Sequence, residues 1–194
     1  MGDDLRALEP IMHRAVTEPD GFRCEREGTG HRLELWGRLR PEWAGNLGLQ
    51  LFAARVQVVV GDAIRTPPGP WAASFLLQTA DARAPLRHDF LAMARSAPHL
   101  PSAVPDPVVS ISAQLSHDAP GDVYARVEGK DSIGLVAHVL AHFARFGLQP
   151  RRFAIRTRDD QVDDWFWLEP LATPSSGVDS IENLARDWRT DPVQ

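Results

Sequence analysis

Residues Val123–Leu168 read VYARVEGKDSIGLVAHVLAHFARFGLQPRRFAIRTRDDQVDDWFWL, and their periodicities decide the fold. Val123–Glu128 alternates apolar and polar, as a half-buried strand does. The pattern breaks at Gly129-Lys130-Asp131-Ser132, and Ile133–Phe146 resumes at helical spacing. Gln149–Thr157 and Val162–Glu169 then read as two strands, with Asp159-Asp160 at the turn between them.

The same order precedes this stretch. His31–Gly37 reads as a strand, Trp43–Ala54 as a helix, and Val56–Arg65 and Trp71–Thr79 as strands around the turn TPPGP. Leu86–Ala97 reads as a second helix and VVSISAQL as a further strand. Setting Ile64-Arg65-Thr66 on Ile155-Arg156-Thr157 gives an offset of 91 (157 − 66). That offset also places Phe52 on Phe143, Ala53 on Ala144, Phe75 on Phe166 and Leu77 on Leu168. The chain therefore reads as two copies of one unit, at 31–118 and 119–194, behind an N-terminal extension at 1–30. The extension carries a short helix over Asp4–Ala15, interrupted or restarted near Pro10, and a strand over Gly21–Glu27 that turns through Gly28-Thr29-Gly30.

The order β-α-β-β-α-β predicts an α+β protein of two ferredoxin-like βαββαβ units in tandem. The second unit lacks a last strand, because only TDPVQ follows its closing helix at Asp179–Trp188. Its Val123–Glu128 edge then needs covering. The strand near Phe22–Glu27, the other copy or a second chain is expected to cover one such edge.

The stretch Val123–Leu168 resembles an ACT domain. Gly129, Asp131, Gly134, Leu135, Gly147, Ile155, Thr157, Val162, Asp164 and Phe166 fall on that family's pattern, whereas Ser132 and Ile133 depart from its usual Arg-Pro. The first copy matches less well. Its loop RLRPEWAGNLG spaces Gly37 and Gly45 widely, and Ala73 stands at the position of Asp164. The resemblance implies a non-catalytic, allosteric regulatory module of the tandem-ACT kind. Such a module binds an amino acid or related small-molecule effector at an interface between ACT units and signals to a regulated partner protein as a homodimer. It implies a ligand site on Gly129, Lys130, Asp131, Ser132, Ile133, Gly134 and Leu135. Glycines there admit a ligand to the backbone, and the N–H groups opening the helix can hold a carboxylate. Lys130, the one lysine of the chain, adds a charge; as plain structure, Asp131 or Ser132 is a helix cap and Lys130 a solvated side chain.

Alternation along the strands sends Phe166 and Leu168 under the helices and Trp165 and Trp167 to the opposite face. Tyr124, Arg126, Arg152, Arg156 and Trp36 join that face. Its tryptophans call for a cover, expected from packing of the two sheets on each other or on another subunit. An assembly protein using this Trp-rich face is the alternative function.

Other classes lack support. The net charge of −5 supplies no field for nucleic acid, and VDDWFWLEP carries three carboxylates where an RNA-binding sheet carries basic residues. His138 and His142 have chelating spacing on one helix, but nothing nearby completes a metal set, and a partly exposed helix face is the plainer reading. No phosphate loop, nucleophile elbow or triad is visible, so no enzyme activity, cofactor or metal is expected. Cys24, the single cysteine, fits a reducing cytoplasm. The N-terminus lacks a signal-peptide run, and no segment is apolar enough for a membrane.

Overall fold

The computed structural model describes residues 6–66, 69–79, 85–96, 109–115, 123–132 and 134–170. The strands are β1 (Gly21–Glu27), β2 (Gly30–Gly37), β3 (Val56–Arg65), β4 (Trp71–Thr79), β5 (Val109–Leu115), β6 (Val123–Lys130), β7 (Leu148–Arg158) and β8 (Gln161–Pro170). The helices are α1 (Glu9–Thr17), α2 (Trp43–Ala53), α3 (Phe90–Arg95) and α4 (Leu135–Arg145). The helix read at Asp179–Trp188 lies outside the described residues. The protein is α+β.

All eight strands form one antiparallel sheet in the order β1-β2-β4-β3-β7-β8-β6-β5. The two halves meet edge to edge along β3 and β7, from Val60 opposite Arg156 to Ile64 opposite Arg152. This corrects one of the two covers expected for the tryptophan-bearing face, packing of two sheets on each other. The seam is tied by Arg156, which donates to Asp62 Oδ1 (3.0 Å) and to the Gly61 carbonyl (3.0 Å), and by the Arg65–Glu169 ion pair.

The outer edges are covered by strands that precede each half. β1 pairs with β2 through the tight Gly28-Thr29 turn, a short loop with little closure entropy to lose. β5, read from the sequence as the last strand of the first unit, lies instead beside β6, from Val109 opposite Gly129 to Leu115 opposite Val123.

Alternation divides the two faces. Leu35, Ala63, Ala73, Phe75, Ile155 and Phe166 point to one side, where α2, α3 and α4 cover them in the main core. Their chain neighbours Trp36, Ile64 and Ala72 point to the other, where α1 covers them with Leu8, Ile11 and Ala15. Trp36, expected at an open interface, is only 8% exposed. Its Nε1 donates to the Pro19 carbonyl (2.9 Å), and the Arg14 guanidinium sits 5.4 Å from its ring while bonding Glu34 (2.7 Å). Pro10 falls in the first turn of α1, which follows a 3-10 turn at Arg6–Leu8, so the helix restarts near Pro10 as one of the two readings has it.

Strand pairing also corrects the repeat. Helices α2 and α4 start 92 residues apart (135 − 43), and β3 and β7 also start 92 apart (148 − 56). Both strands carry a bulge at equivalent places, between Val58 and Val60 and between Pro150 and Arg152. The offset of 91 holds only in β4 and β8, where Phe75 and Leu77 match Phe166 and Leu168 in the core. Ile64 and Ile155 are not equivalent, since they lie on opposite faces of the sheet; a one-residue slip flips every side chain of a strand. The hairpin accounts for the change: Arg65 pairs with Trp71 six residues on (71 − 65), and Thr157 with Val162 five on (162 − 157).

Candidate functional site: a carboxylate cleft between the halves

The loop from β6 to α4 is held by its backbone. The Asp131 N–H donates to the Asp160 carbonyl (2.8 Å), and the Leu135 N–H to the Ser132 carbonyl (3.0 Å). Gly134 takes a left-handed conformation (φ 88°) at the N-cap of α4, which a residue with a Cβ adopts at a cost. This turn points Asp131 and Ser132 toward the other half of the molecule.

There they line a cleft. Asp131, Ser132, Gly134 and Leu135 form one wall with Val136 and Ala137 of α4. Gly48, Leu51 and Phe52 of α2 and Val56, Gln57 and Val58 of β3 form the opposite wall, and Ile155, Thr157, Val162 and Asp164 form the floor. The enclosed part of the space is small, about 40 Å3, and the adjoining outer part is about 390 Å3. The space widens outward past Arg55, Gln78, Thr79 and Asp160. The Gln57 amide closes one side by donating to Asp131 Oδ2 (2.5 Å).

Two carboxyl groups meet in this mostly apolar space. Asp164 is 1% exposed. Its Oδ1 accepts the Arg156 N–H (2.9 Å), and no described residue donates to its other oxygen. Burial pushes its carboxyl up to about 7 against that hydrogen bond, and the charge of Asp131 adds to the rise. Burial also raises Asp131, opposed by its bonds from Gln57 and the Ser132 backbone. A buried carboxylate without a cation is unfavourable, so these groups favour either a proton or a positively charged guest.

Other site residues lie elsewhere. Lys130 is exposed at the end of β6, opposite Gln161, and neither it nor Gly129 lines the cleft. Ile133 lies outside the described residues. Gln57 was not singled out by sequence reading, and Asp164, which falls on the ACT pattern, was not among the residues assigned to the ligand site. The signal for Asp164 was a carboxylate on the inward side of a strand, between Val162 and Phe166, both core residues.

The first half has a loop of equal length, because Gly37 to Trp43 and Gly129 to Leu135 each span six residues (43 − 37, 135 − 129). Gly37 and Gly129 both have positive φ, and the wide spacing of Gly37 and Gly45 has no bearing on the loop. At the equivalent positions, 92 residues earlier, stand Leu39 for Asp131, Glu42 for Gly134 and Trp43 for Leu135; Leu140 stands for Gly48. Ala73 stands for Asp164. Trp43 is 1% exposed and packs against Trp71 (5.4 Å), Phe153 (6.0 Å) and Phe75 (6.2 Å). The counterpart of the cleft is filled, leaving an apolar groove between Glu42, Leu140, Leu148 and Gln149.

On the face away from the main core, Tyr124 lies 5.1 Å from Trp165 and 5.3 Å from Trp167. Arg126 covers Trp165 (4.6 Å) and Arg152 covers Trp167 (4.1 Å). Asp163 grips Arg126 through both oxygens (2.7 and 2.9 Å). Each tryptophan is half-buried under a guanidinium, a packing that lowers the cost of exposing the ring. Arg156 serves the seam instead.

His138 is partly exposed, as the helix-face reading has it, whereas His142 is buried against Phe146 (5.0 Å), which corrects that reading for His142. Among the described residues no three His, Cys, Asp or Glu side chains come together as a metal site, and no helix is long and apolar enough to cross a membrane. A scan of family models and searches of curated proteins and solved structures find no significant match to this chain.

Proposed function

We propose that this chain is a regulatory module of two ferredoxin-like, ACT-type units that binds a small amphiphilic amine, an amino acid or a close relative, in the cleft between its halves. The observation that carries this reading is a loop from one half and a helix from the other enclosing two carboxyl groups in an apolar space. Asp164 and Asp131 suit an ammonium group. The first turn of α4, at the same cleft, suits a carboxylate, and Leu51, Val56 and Ile155 suit an apolar side chain. A guest touching both halves favours one arrangement of the seam over others, which is what a partner protein would read.

Thermal unfolding against the twenty amino acids and simple amines tests this. A ligand at about 100 times its dissociation constant adds roughly 2.7 kcal/mol of stability. The shift is expected to vanish in Asp131→Asn and Gly134→Val and to persist in Lys130→Ala. Ionised Asp164 attracts an ammonium, so binding strengthens as pH rises through about 7. A shift lost in Lys130→Ala but kept in Asp131→Asn would place the ligand elsewhere. Silence across the panel would favour the assembly reading.

A further inference from the structure

Helices α2 and α4 end in the same turn but with different residues. The N–H of Arg55 donates to the Phe52 carbonyl (2.9 Å), and that of Gly147, 92 residues on (147 − 55), to the Ala144 carbonyl (3.0 Å). Both residues are left-handed, with φ of 57° and 69°. Glycine enters that conformation freely and is the usual residue just past a helix, whereas a residue with a Cβ is strained there. The first half nevertheless carries an arginine, exposed and lining the outer part of the cleft with Gln57, Gln78 and Asp160. No described carboxylate pairs with its guanidinium. The two parts of the cleft also differ in size and lining. The inner part, about 40 Å3, is walled by Leu51, Val56, Ile155 and Val162 and reaches Asp164. It admits an unbranched methylene chain ending in an ammonium group, not a ring or a branched side chain. The outer part, about 390 Å3, holds Arg55 and Asp160, neither of which lines the inner part, while Asp131 lines both.

We infer that the guest of this cleft is a linear α,ω-diamino acid of the lysine type, inserted amine first, with Arg55 as the anchor of its carboxylate; this rests on the amine-binding reading above. The terminal ammonium meets Asp164, which is 1% exposed and has an oxygen that no described residue donates to. Pairing with a cation is what a buried carboxylate lacks. The methylenes lie along the apolar walls. The α-ammonium stays in the outer part with Asp131 and Asp160, and the carboxylate meets the Arg55 guanidinium. A helix end offers an anion about half a charge, whereas a guanidinium offers a full one through parallel N–H donors. A guest with a single amine leaves one acidic end of the cleft empty, and a plain diamine leaves Arg55 without an anion.

Isothermal titration calorimetry of the full chain and of Arg55→Gly tests the inference, with lysine, norleucine and 1,5-diaminopentane as probes. Norleucine keeps the methylene chain without the terminal amine, and 1,5-diaminopentane lacks the carboxylate. Lysine is expected to bind about tenfold or more tightly than either, the worth of one charge-assisted contact. Arg55→Gly relieves the left-handed strain and should melt no lower than the wild-type chain. It is expected to weaken lysine about tenfold or more and to leave 1,5-diaminopentane no weaker. Equal binding of lysine and norleucine overturns the inference, and so does lysine binding indifferent to Arg55→Gly. If alanine or leucine then binds and is lost in Asp131→Asn, the cleft reading stands without this inference. Silence from every one of these compounds overturns both.

Discussion

The two strand-to-helix loops, Gly37–Trp43 and Gly129–Leu135, have one length and the same place between a strand and a helix, yet opposite contents. In the first half the helix opens with Trp43, whose indole fills the junction with Trp71, Phe75 and Phe153. In the second it opens with Leu135 after a left-handed Gly134, beside a cleft that Asp131 and Asp164 line. One half puts its inward volume into packing, and the other leaves space and places carboxyl groups around it. Two halves of one sheet can thus divide their tasks, since stability gained at one junction offsets the cost of buried polar groups at the other.

The sharpest way to break this contrast is to empty the filled side. Trp43→Ala removes a fully buried indole from an aromatic cluster that spans both halves, and it should cost about 3–5 kcal/mol. Urea unfolding measures the loss as a lowered midpoint. A cost below about 1 kcal/mol would mean that the first loop is not the packed member of the pair.

Most of the elements were legible in the sequence because they rest on strong periodicity. The hairpin over Gly21–Gly37, β3, β4 and β6 to β8 lie within a residue or two of their expected bounds. Helix α3 is shorter than the Leu86–Ala97 expected, starting after Asp89, whose carboxylate accepts the Ala92 N–H (2.9 Å). The likeness of element order in the two halves was legible, but its register was not. Ile64-Arg65-Thr66 and Ile155-Arg156-Thr157 match as letters, while burial sorts Ile64 with α1 and Ile155 with the main core. Letters carry no face; only pairing with β4 and β8 shows where the hairpin lengths differ. The opposing wall of the cleft was hidden for a similar reason. Gln57 comes from a strand 74 residues from Asp131 in sequence, and its contact exists only because β3 and β7 join.

A smaller effect is expected from the carboxyl side of the comparison. Folded Asp164 titrates near 7, against an ordinary value of 3.8, so between those limits the folded state binds more protons than the unfolded one. Stability from this group is therefore fully present below about pH 4, declines as pH rises, and is gone above about 7. Asp164→Asn, whose amide oxygen still accepts the Arg156 N–H, removes the slope. The variant should be the more stable protein above pH 7, by on the order of a few kcal/mol at most. Denaturant midpoints taken from pH 4 to 8 test this. Parallel curves for the two proteins would show that Asp164 is not held as a neutral acid.

The smallest effect belongs to the residue that stands out most in the sequence. Lys130 is the only lysine, and its place between a strand and a helix gives it the look of a ligand-gripping group. In the folded chain it is exposed, and no described residue pairs with its ammonium group. The turn beneath it is fixed by the Asp131 N–H on the Asp160 carbonyl and by the backbone at Gly134, neither of which needs a lysine side chain. Lys130→Ala should therefore leave the denaturant midpoint within about 0.5 kcal/mol of wild type. A larger loss would mean that the ammonium supports the loop from outside, and the contrast between the two loops would then rest on charge as well as on volume.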